Sequence, residues 1–173
     1  MKKTIALLAV SLSAFQVQAQ LAVGKSAVTN NSVSLEFSNT ENRGLVLPYN
    51  INKSGITENG TMIYDTTDHK VKYLKDNAWF DFSVDTSGTS DLSIQGADKT
   101  EQPGAKVAIY STGSTNTTSG ILVLEDTNKA MILPKVASPH LNIINPAPGM
   151  MAYDTTKRQL AVYNGTVWSF WKP

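Results

Sequence analysis

Two histidines and no cysteines are the starting point for any chemistry that this chain could perform. His69 and His140 are far apart in the sequence, and neither has a second His or a Cys at a spacing typical of metal ligands. The absence of Cys excludes a disulfide scaffold, a thiol nucleophile and a Cys-ligated zinc or iron–sulfur centre. We therefore interpret both histidines as solvent-exposed side chains and predict no metal site and no cofactor.

Motifs of known catalytic sites are also missing from the sequence. It contains no Gly-x-Ser-x-Gly nucleophile elbow, no Walker loop and no dinucleotide-binding fingerprint. Chain order does not exclude a Ser-His-Asp triad, because triads follow no fixed order, so a hydrolase with an unrecognised site remains an alternative. We predict that no residue is catalytic and that the protein is not an enzyme.

Four acidic residues between positions 83 and 104 raise the question of a calcium site. Asp85, Asp91, Asp98 and Glu101 lie in a stretch rich in Ser, Thr and Gly. Their spacing does not match the Asp-x-Asp-x-Asp-Gly loop that supplies oxygen ligands to Ca²⁺. We therefore predict a solvated loop here rather than a calcium site.

The first nineteen residues have the layout of a secretory signal peptide. A basic start is followed by an apolar run of about twelve residues and by Ala19 at the expected cleavage site. A helix that spans a bilayer needs about 20 apolar residues, so this run is too short, and no later segment is apolar enough. The alternative is a buried N-terminal helix. We predict a signal peptide at 1–19 and a secreted chain without a transmembrane segment. Its location would be extracellular or the cell surface, with the periplasm as the alternative.

The net charge is too small to attract a charged partner. The formal charge of +1 at pH 7 comes from 15 basic and 14 acidic residues. Cleavage after Ala19 removes two lysines and leaves the remaining chain at −1. Non-specific binding of nucleic acid requires a clearly basic surface, so we predict no nucleic-acid partner.

An internal repeat is the strongest pattern in the sequence. Residues 60–82 align without a gap on residues 149–171, at an offset of 89, and residues 42–48 match residues 128–134 at an offset of 86. The identical positions of the longer alignment are Gly60/Gly149, Met62/Met151, Tyr64/Tyr153, Asp65/Asp154, Thr66/Thr155, Thr67/Thr156 and Trp79/Trp168. A conserved spacing of Tyr-Asp-Thr-Thr and Trp in both copies indicates duplication rather than chance.

The repeat divides the chain into two units. We assign residues 20–82 to unit 1, residues 83–109 to a connector and residues 110–173 to unit 2. Domains of about 60 residues are marginal without disulfides or metals. We therefore expect the two units to pack on each other or to oligomerise.

Each unit is predicted to contain short strands and a three-stranded meander, which makes the fold all-β. Val71 and Tyr73 alternate with lysines, as in a strand with one buried face and one solvent-exposed face. Asp65-Thr66-Thr67 predicts an Asx turn, and Asn164-Gly165 predicts a tight type I′ turn. The side chains predicted to form the buried face are Met62, Tyr64 and Trp79 in unit 1 and Met151, Tyr153 and Trp168 in unit 2. Residues 106–110 and 121–124 are predicted to pair as a hairpin with a long polar loop.

The motifs of unit 2 resemble a β-module of secreted or surface proteins from Bacteroidetes-type bacteria and of some phage tail-fibre-like proteins. The motifs are Leu133-Pro134-Lys135, Asn145-Pro146-Ala147-Pro148-Gly149-Met150, Tyr153-Asp154-Thr155 and Tyr163-Asn164-Gly165-Thr166-Val167-Trp168. Unit 1 departs from the pattern, because Tyr49 stands where a basic residue usually follows the proline and Asp76-Asn77 replaces Asn-Gly. The resemblance covers about two-thirds of the chain. It implies β structure, a surface location and a structural, fibre-like or adhesive role without enzymatic activity.

The C-terminal aromatic residues are candidates for an interface or a ligand site. Trp168, Phe170 and Trp171 lie within four residues, and one strand face cannot bury all three. The exposed remainder would contact another chain or stack on a sugar. Trp168 also recurs in the repeat, which favours a core position for it.

The Asp-Thr-Thr turns have a second interpretation. Thr66 and Thr155 follow an Asp and precede a Thr, a pattern that resembles the O-glycan acceptor of Bacteroidetes-type bacteria. The Asx turn explains the same residues without a glycan. The two interpretations are compatible, because acceptors lie on exposed turns.

These observations favour a secreted, non-enzymatic structural or adhesive module at the bacterial cell surface. The expected partners are other surface proteins or glycans, and a homo-oligomer is a further expectation. The alternative is a carbohydrate-binding module that uses the C-terminal aromatic residues.

Overall fold

The computed structural model describes residues 19–93, 102, 104–111 and 117–172. The predicted signal peptide, apart from Ala19, lies outside these residues, as does part of the predicted connector. The regular secondary structure of the described residues is almost entirely β, as predicted, with a single four-residue helix. The strands are β1 (Leu21–Val23), β2 (Val33–Phe37), β3 (Leu45–Val46), β4 (Tyr49–Asn50), β5 (Met62–Asp65), β6 (Lys70–Lys75), β7 (Ala78–Asp81), β8 (Val107–Ile109), β9 (Leu122–Leu124), β10 (Ala130–Ile132), β11 (Lys135–Val136), β12 (Met150–Asp154), β13 (Gln159–Tyr163) and β14 (Trp168–Trp171), and the helix α1 is Pro139–Asn142.

Each unit contains a sheet with the same succession of strands. The order is β4-β5-β6-β7 in unit 1 and β11-β12-β13-β14 in unit 2. In both sheets the first strand runs parallel to the second, and the last three strands form an antiparallel meander. The predicted meander is therefore present in each unit, and a short parallel strand extends it.

In both units, a proline precedes the short parallel strand (β4 or β11) and makes the first hydrogen bond of its pairing with the meander. Proline has no N–H and cannot donate to a strand ladder, but its carbonyl still accepts. The amide of Tyr64 donates to Pro48 O at 3.0 Å, and the amide of Tyr153 donates to Pro134 O at 2.8 Å. Each proline therefore ends one short strand and anchors the next one to the meander.

The strands at the start of each unit pair in parallel. β1 and β10 lie on either side of β2, and both run parallel to it. β8 and β9 are also parallel to each other. The hairpin predicted for residues 106–110 and 121–124 is therefore wrong. Parallel strands need a crossover of about a dozen residues instead of a tight turn, and residues 110–121 provide that length.

The Asp-Thr-Thr turns have the predicted Asx geometry. Asp65 Oδ1 accepts hydrogen bonds from the amide and the hydroxyl of Thr67, at 3.0 Å and 2.6 Å. Asp154 Oδ1 accepts a bond from the amide of Thr156 at 2.9 Å. The carboxylates are therefore buried structural groups, 1% and 0% exposed, that close the first turn of each meander.

Each of these turns ends in a residue with left-handed backbone. His69 has a φ of 57°, and Arg158, its equivalent in unit 2, has a φ of 55°. Both residues lie immediately before the strand that returns. The two units therefore share a backbone conformation at this position and not an imidazole. His69 is half-buried, so the prediction that it is solvent-exposed is wrong.

The second turn of unit 1 is the tight one. Lys75 pairs directly with Ala78, so Asp76 and Asn77 form a two-residue connection. Their φ values are 51° and 60°, as a type I′ turn requires at both central positions.

The second turn of unit 2 is wider than predicted. Tyr163 pairs with Trp168, so residues 164–167 form a four-residue loop. Asn164 Oδ1 closes the loop by accepting bonds from the amides of Thr166 at 2.9 Å and Val167 at 2.8 Å. The predicted tight Asn-Gly turn is therefore wrong, because the side chain of Asn164 organises an Asx-type loop instead.

Trp79 lies on the opposite face of the sheet from the one predicted. Residues directly across an antiparallel ladder share a face, and Trp79 is across from Leu74. Tyr64 is across from Val71, on the other face. The prediction that Trp79 joins the face of Tyr64 is wrong, because the two-residue turn sets a register that pairs Tyr73 with Phe80 instead.

The tryptophan of unit 2 follows the same rule. Trp168 is across from Tyr163, whereas Met151 is across from Val162 on the opposite face. The predicted grouping of Trp168 with Met151 is therefore also wrong. The recurrence of Trp in both units reflects a shared second face of the sheet.

Two hydrophobic clusters bury the two faces of the unit 2 sheet. The first lies between the units and contains Leu47, Tyr64 and Val71 of unit 1 with Met151 and Val162 of unit 2. The second lies under the segment that includes α1 and contains Val136, Ile143, Met150 and Ala152, with Tyr163 and Trp168 packed against it. The main core is therefore shared between the units.

A buried carboxylate fixes the start of unit 1. Glu36, on the central strand β2, is only 3% exposed. It accepts bonds from Lys25 Nζ at 2.7 Å and from the amide and hydroxyl of Thr29, both at 2.6 Å. The hydrogen bonds from Lys25 and Thr29 lower the pKa of Glu36 from 4.5 to about 2, because they favour the charged form.

Glu36→Gln is expected to destabilise the protein by about 1.5–3 kcal/mol at neutral pH, because the lost hydrogen bonds involve a charged group. The folded-state pKa of about 2 lies below the ordinary 4.5, so this stabilisation is present above about 4.5 and is lost as the pH falls toward 2. Melting temperatures of both proteins across this range provide the measurement. Other carboxylates titrate in both proteins, so the difference between them isolates Glu36. A difference that stays constant with pH would contradict the assignment.

Candidate assembly site

Unit 2 inserts the start of its meander into unit 1. The backbone of β12 pairs antiparallel with β3 of unit 1, with Leu45 across from Met151 and Val46 across from Met150. The amide of Leu47 then donates to Gly149 O at 3.1 Å. β12 therefore has β13 on one edge and, on its other edge, first β3 of unit 1 and then β11 of its own unit.

Gly149 makes this close approach possible. Its φ is +75°, in the left-handed region that favours glycine. A Cβ on this residue would lie 2.7 Å from Cβ of Tyr64, which is closer than packed side chains allow. The contact therefore requires glycine both for backbone conformation and for space.

Tyr64 is the largest buried side chain at this contact. It is 0% exposed, and its hydroxyl donates to Asn164 O, across the interface, at 2.7 Å. Burial raises the pKa of the Tyr64 phenol to about 12, because the charged form would lose its hydration. The phenol therefore stays neutral over the physiological range and acts as a hydrogen-bond donor.

The start of the predicted connector lies along unit 2. The amide of Val84 donates to Ser169 Oγ at 3.1 Å, and Asn164 Nδ2 donates to Asp85 O at 3.1 Å. Thr166 Oγ1 donates to Ser87 O at 2.8 Å. Composition predicts a solvated loop at 83–104, but residues 83–90 lie along unit 2, and Val84, Asp85 and Ser87 make these bonds.

The C-terminal aromatic residues occupy three different environments. The indole N–H of Trp171 donates to Phe82 O at 2.6 Å, and its ring packs edge-on against Phe80 and Phe82 of unit 1. Trp168 packs against Tyr163, with ring centroids 5.2 Å apart. Phe170 is 38% exposed and meets His140 edge-on. Trp171 is therefore part of the contact between units, and Phe170 is the outward-facing member of the three.

The predicted core residues differ in burial. Tyr64 and Met151 are fully buried, while Met62, Trp79 and Trp168 are half-buried. Tyr153 is 36% exposed, although its equivalent Tyr64 is enclosed. The difference arises because unit 2 covers Tyr64, and no described segment covers Tyr153 in the same way.

The predicted acceptor threonines also differ. Thr155 is exposed, whereas Thr66 is half-buried and its hydroxyl donates to Asn50 O at 3.1 Å. Glycosylation of either residue stays a prediction.

The described acidic residues of the connector accept hydrogen bonds from backbone amides two residues later in the chain. Asp85 and Asp91 accept bonds from the amides of Ser87 and Ser93, at 2.7 Å and 2.9 Å. The other two residues of the calcium interpretation, Asp98 and Glu101, lie outside the described residues. The described part of the chain contains no group of three or more His, Asp or Glu side chains that could hold a metal ion.

Comparison with known proteins identifies one family-level similarity. Residues 108–172 match the family described as "Phage tail like trimerisation region". No curated protein and no solved structure matches the chain. The match runs from within β8 to the end of β14 and agrees with the resemblance to tail-fibre-like proteins; it supports a structural role and a homo-oligomer. Among the helices in the described part, none is long and apolar enough to span a membrane.

Sequence reasoning missed two parts of this site. The repeat marks Gly149 as a recurring residue but does not predict its contact with Tyr64, because contacts between units leave no periodic signal. Composition does not predict the contacts of residues 83–90, because backbone carbonyls of a polar segment can accept hydrogen bonds whatever its side chains are. The glycine shared by both units was the available signal for a close approach.

Trp171→Ala is expected to destabilise the protein by about 2–4 kcal/mol, because it removes a large ring and leaves the Phe82 carbonyl without its donor. Phe170→Ala is the matched control, since this neighbouring ring is 38% exposed, and its expected cost is below about 1 kcal/mol. Urea unfolding of both variants measures the two costs. Equal destabilisation would contradict the placement of Trp171 in the interface.

Proposed function

We propose that this chain is a secreted, non-enzymatic structural protein that works as a homo-oligomer at the bacterial cell surface, in the manner of a tail-fibre-like module. The match of residues 108–172 to a phage tail-like trimerisation region carries the oligomeric and structural part of the proposal. The signal-peptide layout of residues 1–19 motivates secretion. Adhesion to other surface proteins or glycans is a further part of the proposal, motivated by the family resemblance of unit 2.

Exposed apolar side chains support association with another chain. Val107 of β8 is 56% exposed, and Leu122 of β9 is 43% exposed. Ile121, next to β9, is 61% exposed. Large apolar residues that cluster on short neighbouring strands are typical of interaction surfaces. A cysteine-free protein of two small units also gains stability when copies bury such surface together.

A carbohydrate-binding module remains the competing function, but the geometry favours it less. Trp171 uses its N–H and its ring in contacts with unit 1, so it does not offer a free stacking face. Phe170 is the exposed member of the three C-terminal aromatic residues, whereas Trp168 and Trp171 are half-buried. Sugar binding that is lost in Phe170→Ala, at unchanged stability, would favour this alternative.

The chain without residues 1–19 is expected to form trimers at micromolar concentration. Native mass spectrometry, with light scattering as an independent measurement, gives the number of copies. Cell fractionation tests the proposed location, with enrichment in the surface or extracellular fraction as the expected result. A protein that stays monomeric at high micromolar concentration would overturn the oligomeric proposal, and confinement to the periplasm would overturn the surface location.

A further inference from the structure

A groove on unit 2 is lined by residues at the same repeat positions as the part of unit 1 that holds unit 2. Its volume is about 480 Å³, and it is lined by Met131, Ile132, Leu133, Lys135 and Tyr153. At the offsets of the repeat, the equivalent residues of unit 1 are Leu45, Val46, Leu47, Tyr49 and Tyr64. We call the first set the unit 2 groove.

In unit 1, the equivalent groove is filled by Gly149 and the start of β12. Leu45 and Val46 pair with Met151 and Met150, and Tyr64 packs directly on Gly149. These contacts bury Tyr64 and Met151 completely. The repeat therefore shows what kind of segment such a groove accepts: a glycine with left-handed backbone followed by the first residues of a meander strand.

Unit 1 carries an equivalent segment that is not used in this way. Gly60, the equivalent of Gly149, has a φ of +92° and no heavy atom within 4 Å of where a Cβ would lie. Met62 is only half-buried, whereas its equivalent Met151 is enclosed. The segment 60–62 therefore has the required conformation and an open side.

The unit 2 groove and the segment 60–62 each carry one backbone group that could form a hydrogen bond with the other. Inside the chain, the amide of Leu47 donates to Gly149 O. The equivalent groups are the amide of Leu133 in the unit 2 groove and the carbonyl of Gly60. Among the described residues, neither group has a hydrogen-bond partner. One is a donor and the other an acceptor, so docking segment 60–62 into the groove would satisfy both.

A second pair of strands supports the same docking independently. β2 of unit 1 has β1 on one edge and β10 of unit 2 on the other, and its Leu35 is 2% exposed. β9 occupies the corresponding place in unit 2, but among the described residues it pairs with β8 alone, and Ile121, the equivalent of Leu35 at the offset of 86, is 61% exposed. The strand that would cover β9, by the repeat, is β3 of another unit 1, whose Val46 is 43% exposed.

We propose that the unit 2 groove binds segment 60–62 from unit 1 of a second copy of this chain, so that the contact between units within one chain is repeated between chains. This inference rests on the proposed homo-oligomer and specifies its interface. The contact is heterologous, since different surfaces of the two copies meet, and it therefore generates a ring or an open fibre. A ring of three would agree with the trimerisation family.

Cysteine cross-linking tests the interface directly, because the natural chain has no Cys. By equivalence with the pair Val46 and Met150, residue Ile132 of one copy would lie across from Thr61 of the next. Residues across an antiparallel ladder have Cβ atoms about 4.5–5.5 Å apart, close to what a disulfide needs after a small adjustment. The double variant Thr61→Cys/Ile132→Cys should therefore form disulfide-linked multimers on oxidation.

Two controls make the result specific. Each single variant should stay unlinked, and an equimolar mixture of the two should give only pairs of chains. Val46→Cys/Met150→Cys should form a bond within one chain, without any increase in mass. The double variant Met150→Cys/Ile132→Cys places both cysteines in unit 2. If this variant forms disulfides between chains and Thr61→Cys/Ile132→Cys does not, unit 2 of one copy contacts unit 2 of another, and the proposal is overturned.

A substitution in the groove gives a test that needs no disulfide. Tyr153→Lys is expected to raise the dissociation constant of the oligomer about tenfold or more. At a dilution where both proteins are monomeric, its melting temperature should change little, because Tyr153 is 36% exposed in the single chain. Ile144→Lys, at an 84% exposed position outside the groove, is the control and should leave association unchanged. An oligomer that persists in Tyr153→Lys and does not cross-link through Thr61 would refute this interface but not the proposed function. A monomeric natural chain would refute both.

Discussion

The close approach of Gly149 to Tyr64 is the contact on which the arrangement of the two units depends. Positive φ at Gly149 turns the chain into β12, and the missing side chain lets Tyr64 lie against the backbone. With that distance fixed, the amide of Leu47 reaches Gly149 O, and β3 can pair with β12. The cluster between the units and the bond from Tyr64 to Asn164 both require the same spacing.

Local chemistry predicted the parts of the fold that depend on a few neighbouring residues. The Asx turns at Asp65 and Asp154 form through bonds to residues two positions away, so their sequence is sufficient to identify them. Strand pairing depends on turn length, and there the prediction failed. Period-two alternation does not say which residues are opposed across a ladder, so Trp79 was assigned to the wrong face. Parallel pairing of β8 and β9 has no short-range signature at all, because its crossover determines it.

The candidate site was less predictable, because equivalent residues in the two units have different surroundings. Gly60 and Gly149 are identical in sequence, as are Tyr64 and Tyr153, yet one member of each pair is enclosed and the other is open. A repeat predicts which residues could form a contact, but the order of the units along the chain decides which of them do. Unit 1 offers the groove that is filled and unit 2 offers the segment that fills it, which leaves the groove of unit 2 and the equivalent segment of unit 1 open.

The tether between the units adds a physical difference between the two kinds of contact. Within a chain, the linker holds unit 2 at high effective concentration near unit 1, and residues 83–90 bind along its edge. Between chains the same geometry must also overcome the loss of translational and rotational freedom. The groove of unit 2 carries exposed Lys135 where unit 1 has Tyr49, whose ring packs against Tyr64. The proposed contact between chains has less aromatic surface and no tether, so we expect it to be weaker and assembly to depend on protein concentration.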